Sequence, residues 1–269
     1  MASLLSAAAP IDAAPPADDA TRKPHARARI VLEHEGAAPG GQVWVGIAFD
    51  IDPQWHIYWP GQNDSGMPVT MNWSLPPGWS FGDWNWPAPK RHLADGDILD
   101  HVYEGRVTII APLKIPAAAK PGDTLTIGGE FDWLVCKSLC LPGSAKLSAE
   151  VKVLSPDAKP TPTADAALFD ASRKRLPRPA GADVQRTIDG DKATLSVKGS
   201  STLRFYPSEN SVRVGDLIKT GVATGDAITL PFERPMGKPG SLLGVLEVVR
   251  GSETTWYSID VPVPAQKSN

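Results

Sequence analysis

Short stretches in which apolar and polar residues alternate, separated by Gly, Pro and Asp, recur along this chain from Ala26 to its C-terminal end. Residues 29–33 and 42–50 read as strands, and aromatic segments follow around His56-Ile57-Tyr58-Trp59 and at 69–73. Further strands fit 106–115, 124–136 and 145–153. If 124–136 is one strand, a period of two puts Phe131, Trp133 and Val135 on a core face, with Asp132, Leu134 and Cys136 on the opposite one. The Pro-rich stretch 155–162 reads as a linker. Thr161 is placed to cap a short helix that has Pro162 at its first position and runs to about residue 175. A second β-region carries candidate strands at 193–197, 202–206, 227–230, 242–249 and 254–261.

The expected architecture is therefore all-β: an antiparallel β-sandwich at 26–155, a linker with a short helix at 156–180, and a second, smaller β-sandwich at 181–265. Residues 1–25, rich in Ala, Pro and Asp, are expected to be a flexible tail. Residues 2–10 carry Ala-x-Ala steps like the end of a secretory signal, without its basic start or full apolar stretch.

Composition narrows the function classes. Pro and Gly, 27 and 24 of 269 residues, fit a turn-rich β protein. The net charge of −3 and the lack of a Lys/Arg run argue against a nucleic-acid partner. No stretch approaches the roughly 20 apolar residues of a membrane span, so the chain as given is expected to be soluble. Eight of the nine tryptophans precede residue 135, where core and rim packing explains them better than a sugar- or peptide-binding surface.

Cys136 and Cys140 are the only two cysteines, in the run Trp133-Leu134-Val135-Cys136-Lys137-Ser138-Leu139-Cys140-Leu141-Pro142-Gly143. A disulfide closing so short a loop stabilises by roughly 2 kcal/mol in the chain-entropy model, which makes it a poor staple. Three readings stay open from the residues: a reversible redox pair, a static disulfide, and a metal site or inert thiols. Copper(I) has the soft donors Cys136, Cys140, Met67 and Met71 with His56 in the chain, but no compact ligand motif joins them. Lys137, beside Cys136, is placed to favour a thiolate.

The cysteine run, together with His56-Ile57-Tyr58-Trp59-Pro60-Gly61, Ser65-Gly66-Met67-Pro68, Trp73-Ser74-Leu75-Pro76-Pro77-Gly78-Trp79 and Trp86-Pro87-Ala88-Pro89, resembles the N-terminal periplasmic domain of DsbD-type thiol:disulfide interchange proteins, in particular their ScsB-like branch. The cysteines stand closer together than in the founding member. The resemblance implies a periplasmic immunoglobulin-like domain that takes electrons from a membrane-embedded thiol reductase module and passes them to thioredoxin-like proteins through Cys136 and Cys140. No cofactor and no metal are implied. Cys140 is then the attacking sulfur and Cys136 the resolving one.

The family shields its thiols with a short cap loop, which the resemblance places at Asp100-His101-Val102-Tyr103-Glu104-Gly105. Tyr103 or Val102 would cover the sulfurs, and Asp100, His101 and Glu104 would tune them or move protons. Because the chain shows neither a membrane span nor a thioredoxin-like Cys-x-x-Cys domain, it reads as a stand-alone relay or a piece of a larger one. The alternative is a non-catalytic interaction module with a structural disulfide, linked to copper tolerance.

Overall fold

A computed structural model describes residues 24–266, so the tail expected at 1–25 lies, apart from Pro24 and His25, outside the described residues. Eleven strands come before the first helix: β1 (Ala26–Leu32), β2 (Gly36–Ala37), β3 (Gln42–Ile51), β4 (His56–Tyr58), β5 (Thr70–Ser74), β6 (Ser80–Phe81), β7 (Lys90–Ala94), β8 (Ile98–Glu104), β9 (Arg106–Lys114), β10 (Thr124–Cys136) and β11 (Cys140–Val153). They form a four-stranded sheet in the order β1-β3-β9-β6, and a seven-stranded sheet in the order β2-β11-β10-β4-β8-β7 with β5 added alongside β10. Phe49, Ile57, Tyr103, Ile109, Phe131 and Trp133 pack between them at one end, and Val43, Val45, Leu113, Ile127 and Val151 at the other.

The helix α1 (Ala166–Arg173) begins later than the sequence predicts, with Asp165 rather than Thr161 before its first turn. The cause is a competing set of bonds. Thr161 O accepts from Glu35 N, Thr163 N donates to Glu33 O, and the Thr163 hydroxyl donates to Leu32 O, so this stretch is tied to the end of β1 and is not free to coil. Asp165 in turn accepts two hydrogen bonds from the Arg29 guanidinium, both at 2.8 Å, and makes no cap. Phe169 then buries against Val31, Ala48 and Ile110, fixing α1 on the outside of the four-stranded sheet.

The second sandwich contains β12 (Arg178–Pro179), β13 (Gln185–Asp189), β14 (Lys192–Ser196), β15 (Thr202–Pro207), the short helix α2 (Leu217–Thr220), β16 (Val222–Thr224), β17 (Ala227–Pro231), β18 (Gly240–Arg250) and β19 (Glu253–Val263). A five-stranded sheet, β12-β19-β18-β15-β16, faces a three-stranded one, β13-β14-β17, over Leu195, Phe205, Leu230, Leu246 and Tyr257.

The two sandwiches share a tight junction. Tyr206 and Val245 belong to the same apolar cluster as Trp59 and Tyr103 of the first sandwich. Arg91 on β7 donates to Leu217 O at 3.1 Å and Ile218 O at 3.5 Å.

Candidate functional site: a disulfide at a hairpin tip

Strands β10 and β11 pair in unbroken antiparallel register from Thr124 opposite Lys152 to Cys136 opposite Cys140. The three residues between the cysteines close the tip, where Lys137 N donates to Leu139 O at 3.1 Å. Cys136 and Cys140 are bonded, with Cα atoms 4.1 Å apart. Alternation along β10 separates the two faces as the sequence predicts: Phe131, Trp133 and Val135 enter the sandwich core, while Leu134 and Cys136 face outward with Tyr58 and Val102. The sulfurs differ in access, because Cys136 is 3% exposed and Cys140 is open to solvent.

Beside Cys140 stands a chain of hydroxyls ending at a buried carboxylate. The Tyr58 hydroxyl lies 3.7 Å from Cys140 Sγ and 3.5 Å from Ser65 Oγ. Ser65 donates its hydroxyl to Asp100 Oδ2 at 2.6 Å and its backbone N–H to Asp100 Oδ1 at 2.8 Å. With its own proton committed to Asp100, Ser65 Oγ can only accept from Tyr58, so the single phenolic proton is shared between that oxygen and the sulfur. Burial, with Asp100 nearby, raises the Tyr58 pKa against the opposing Ser65 hydrogen bond and keeps Tyr58 a donor.

Gly66 lies against the Tyr58 ring: a Cβ there would come within 2.0 Å of Tyr58 Cζ, and the backbone has φ +68°. Only glycine fits this position. Past it, Met67, Pro68, Leu134, Pro142 and Gly143 line a groove of about 370 Å³ on the side of the hairpin. Met67 is 64% exposed there, and Leu139 at the hairpin tip is 52% exposed.

The cap expected at residues 100–105 is not a loop. Asp100 to Glu104 form the last part of β8, hydrogen-bonded between β4 and β7, and strand alternation divides the five residues between the sheet's faces. Val102 packs in one apolar cluster with Tyr58 and Cys136, from a strand. Asp100 reaches the site through Ser65. Glu104 lies opposite His56 and pairs with Lys90 at 2.9 Å.

Tyr103 points the other way, into the core, where its hydroxyl donates to Pro87 O and burial raises its pKa well above the usual value. Its removal would leave a core cavity and would not uncover the thiols. His101 also faces away. It is fully buried, edge-on to Trp59 and Tyr206, and neither ring nitrogen has a hydrogen-bond partner.

Lys137 donates to Gln54 Oε1 at 2.5 Å. The soft donors do not converge, because Met71 turns into the sandwich core opposite Phe131 while Met67 lies outside it.

Tyr58 and Ser65 stand beside the disulfide without being singled out by the sequence, and His56, weighed there only as a copper donor, stands beside it too. His56 lies opposite Cys136 across the β10–β4 pair, with its ring 4.4 Å from that of His92. Burial, then the neighbouring His92, lowers the His56 pKa against the pull of Asp100 and Glu104. Tyr58 and Ser65 lie in the His-Ile-Tyr-Trp and Ser-Gly-Met-Pro segments, which carry the resemblance.

Fold and site define an all-β, immunoglobulin-like domain that presents one disulfide at a hairpin tip, one sulfur enclosed and the other open. Residues 27–152, the first sandwich, match the family described as thiol:disulfide interchange protein DsbD, N-terminal. The N-terminal periplasmic domain of ScsB from Proteus mirabilis has the same fold over most of both chains, at TM-score 0.58 and 16% identity, covering 91% of this chain and 95% of that one. A protein of unknown function from Porphyromonas gingivalis W83 aligns over 88% of this chain and 99% of its own, at TM-score 0.29 and 9% identity, too distant to inform the fold. No curated protein matches the sequence. Among the described residues, no helix is long and apolar enough to cross a membrane.

Proposed function

We propose that this protein is a periplasmic electron relay, whose Cys136–Cys140 pair is reduced by a membrane-embedded thiol reductase module and reoxidised by thioredoxin-like proteins. The observation that carries the reading is the asymmetry of the two sulfurs: Cys140 is open beside a phenolic donor, and Cys136 is enclosed by Val102 and Tyr58. During reduction, a donor thiolate attacks Cys140 Sγ, an intermolecular S–S bond forms, and the Cys136–Cys140 bond breaks to release Cys136 as a thiolate that takes up a proton. The donor's second thiol then attacks its own bridged sulfur and frees Cys140. The donor leaves as a disulfide, and the pair has gained two electrons and two protons.

Reoxidation runs the same steps against an acceptor disulfide, with the Cys140 thiolate as nucleophile. The Tyr58 hydroxyl, able to turn from Ser65 toward the sulfur, stabilises that thiolate in both directions. The groove of Met67, Pro68, Leu134 and Pro142 gives a partner apolar contact beside Cys140.

Trapping tests the assignment. Cys136→Ser is expected to accumulate a covalent complex with a thioredoxin-like partner, because Cys140 attacks and nothing resolves the product, whereas Cys140→Ser forms none. Trapping by Cys140→Ser alone would reverse the roles. The pair is also expected to have a reduction potential above about −300 mV, since structural disulfides commonly lie below that value.

A further inference from the structure

The second sandwich contains no cysteine, and every group placed around the disulfide belongs to the first. It nevertheless holds one end of the segment that covers the site. The Gln62 side-chain amide bonds entirely to second-sandwich backbone: Nε2 donates to Ser211 O at 3.2 Å and Val212 O at 3.0 Å, and Oε1 accepts from Val214 N at 3.1 Å. Gln62 N donates to Pro207 O at 3.0 Å, and Glu209 N to Pro60 O at 3.3 Å.

The next three residues bond in the other direction, along β8. Asn63 Oδ1 accepts from His101 N at 2.7 Å, and Asp64 exchanges two bonds with Leu99, at 2.8 and 3.1 Å. Ser65 makes its two bonds to Asp100. Gly66 then lies on Tyr58, and Pro68 bridges back to Tyr58. Residues 62–68 thus form a strap, anchored in the second sandwich at its start and covering the phenol that touches Cys140 at its end.

We infer that Gln62 is a positioning residue of the redox pair, through which the second sandwich keeps the strap closed over Tyr58, the phenol beside Cys140. A segment fixed at both ends opens less often than one fixed at one end, because opening must first break the anchoring bonds. Three backbone groups of the second sandwich converge on a single uncharged side chain, so removing that side chain loosens the start of the strap, then held only by the backbone bonds to Pro207 and Glu209, and leaves the β8 bonds of Asn63, Asp64 and Ser65 in place. The result is a more frequent local opening with the fold retained. The exchange reading gives this cover its purpose, but the cover itself is open to a measurement that needs no partner protein.

The test uses the full chain carrying Cys136→Ser, which leaves Cys140 as its single thiol, and follows alkylation by a small reagent across pH. Adding Gln62→Ala, or Gln62→Met, which keeps the chain length and drops the hydrogen bonds, is expected to leave the high-pH plateau rate unchanged, because Cys140 is open to solvent with the strap closed. The alkylation midpoint is expected to move upward, since a loosened strap no longer holds Ser65 and Tyr58 against the sulfur.

Arg91→Ala removes a junction contact outside the strap and is expected to leave both plateau and midpoint unchanged. Wild-type alkylation in both folded Gln62 variants would overturn the inference. An equal midpoint shift in Arg91→Ala and the Gln62 variants would overturn it too, by showing that any loosening of the junction suffices. Failure of the relay reading shows separately, as the absence of a mixed disulfide between the Cys136→Ser protein with Gln62 intact and a thioredoxin-like partner.

Discussion

The two sandwiches solve the same packing problem and differ in what they leave on their surfaces. In the second, Phe205, Leu246 and Tyr257 fill a single core. In the first, the β10–β11 hairpin runs to its tip with a sulfur on each strand, and the outer face of the same sheet carries His56, Tyr58 and Asp100 next to it. One sandwich therefore holds the chemistry and the other holds a strap to it, a division that neither core reveals by itself. Where the two meet, the junction buries His101, whose ring nitrogens have no hydrogen-bond partner among the described residues.

The largest break in this comparison comes from emptying the second core. Phe205 is fully buried, and Phe205→Ala is expected to destabilise by about 3–5 kcal/mol. Because eight of the nine tryptophans precede residue 135, tryptophan fluorescence reports the first sandwich. If the sandwiches are separable, fluorescence should hold while circular dichroism shows a β-loss at lower temperature. A single shared transition would make them one cooperative unit.

The junction itself is next. Burial, then Arg91, depresses the His101 pKa from 6.5 to about 3, partly offset by the Gln62 backbone, which stops short of a formed hydrogen bond. Above pH 6.5 the ring is neutral folded and unfolded and contributes nothing to the pH dependence. Between 6.5 and about 3 the unfolded chain takes up a proton that the folded one does not, so stability falls as pH falls, by about 1.4 kcal/mol per pH unit. His56, also depressed, adds in the same direction. Denaturant titrations at pH 6.5 and 4.5 should therefore show a slope that His101→Phe reduces without abolishing; an unchanged slope would place the effect elsewhere.

Reduction of the disulfide should matter less, by roughly 2 kcal/mol, because the loop it closes is short. Circular dichroism and a thermal melt of the reduced protein are expected to show an intact β-fold with a modestly lower midpoint. Loss of cooperative unfolding in the first sandwich would make the bond a staple and sink the relay. The smallest effect belongs to a single oxygen. Tyr58→Phe removes a hydrogen bond to the Cys140 thiolate and should raise its alkylation midpoint by about one pH unit, with little change in the melt.

Much of the first sandwich was legible because a strand buried on one face must alternate. The split of Phe131, Trp133 and Val135 from Leu134 and Cys136 follows from that period alone, whereas the start of β11 at Cys140 does not, because alternation places that strand only at 145–153. The same rule, applied to residues 100–104, would have turned Tyr103 inward, but that segment was read as a loop by analogy with a family feature. Backbone competition was not legible either: Thr161 and Pro162 carry a valid helix-start signal, which yielded to hydrogen bonds with the end of β1, far away in sequence.

Local sequence determined most of the long strands, the core faces and the identity of the bonded pair, since these depend on periodicity and on a residue type that occurs only twice. Which groups reach the pair was decided by tertiary structure. Tyr58 is 82 residues from Cys140, Asp100 is 35 from Ser65, and Gln62 is about 150 from the backbone it grips. Contacts between segments so far apart arise only when the sheets pack, because no local pattern encodes which loop will lie across which strand.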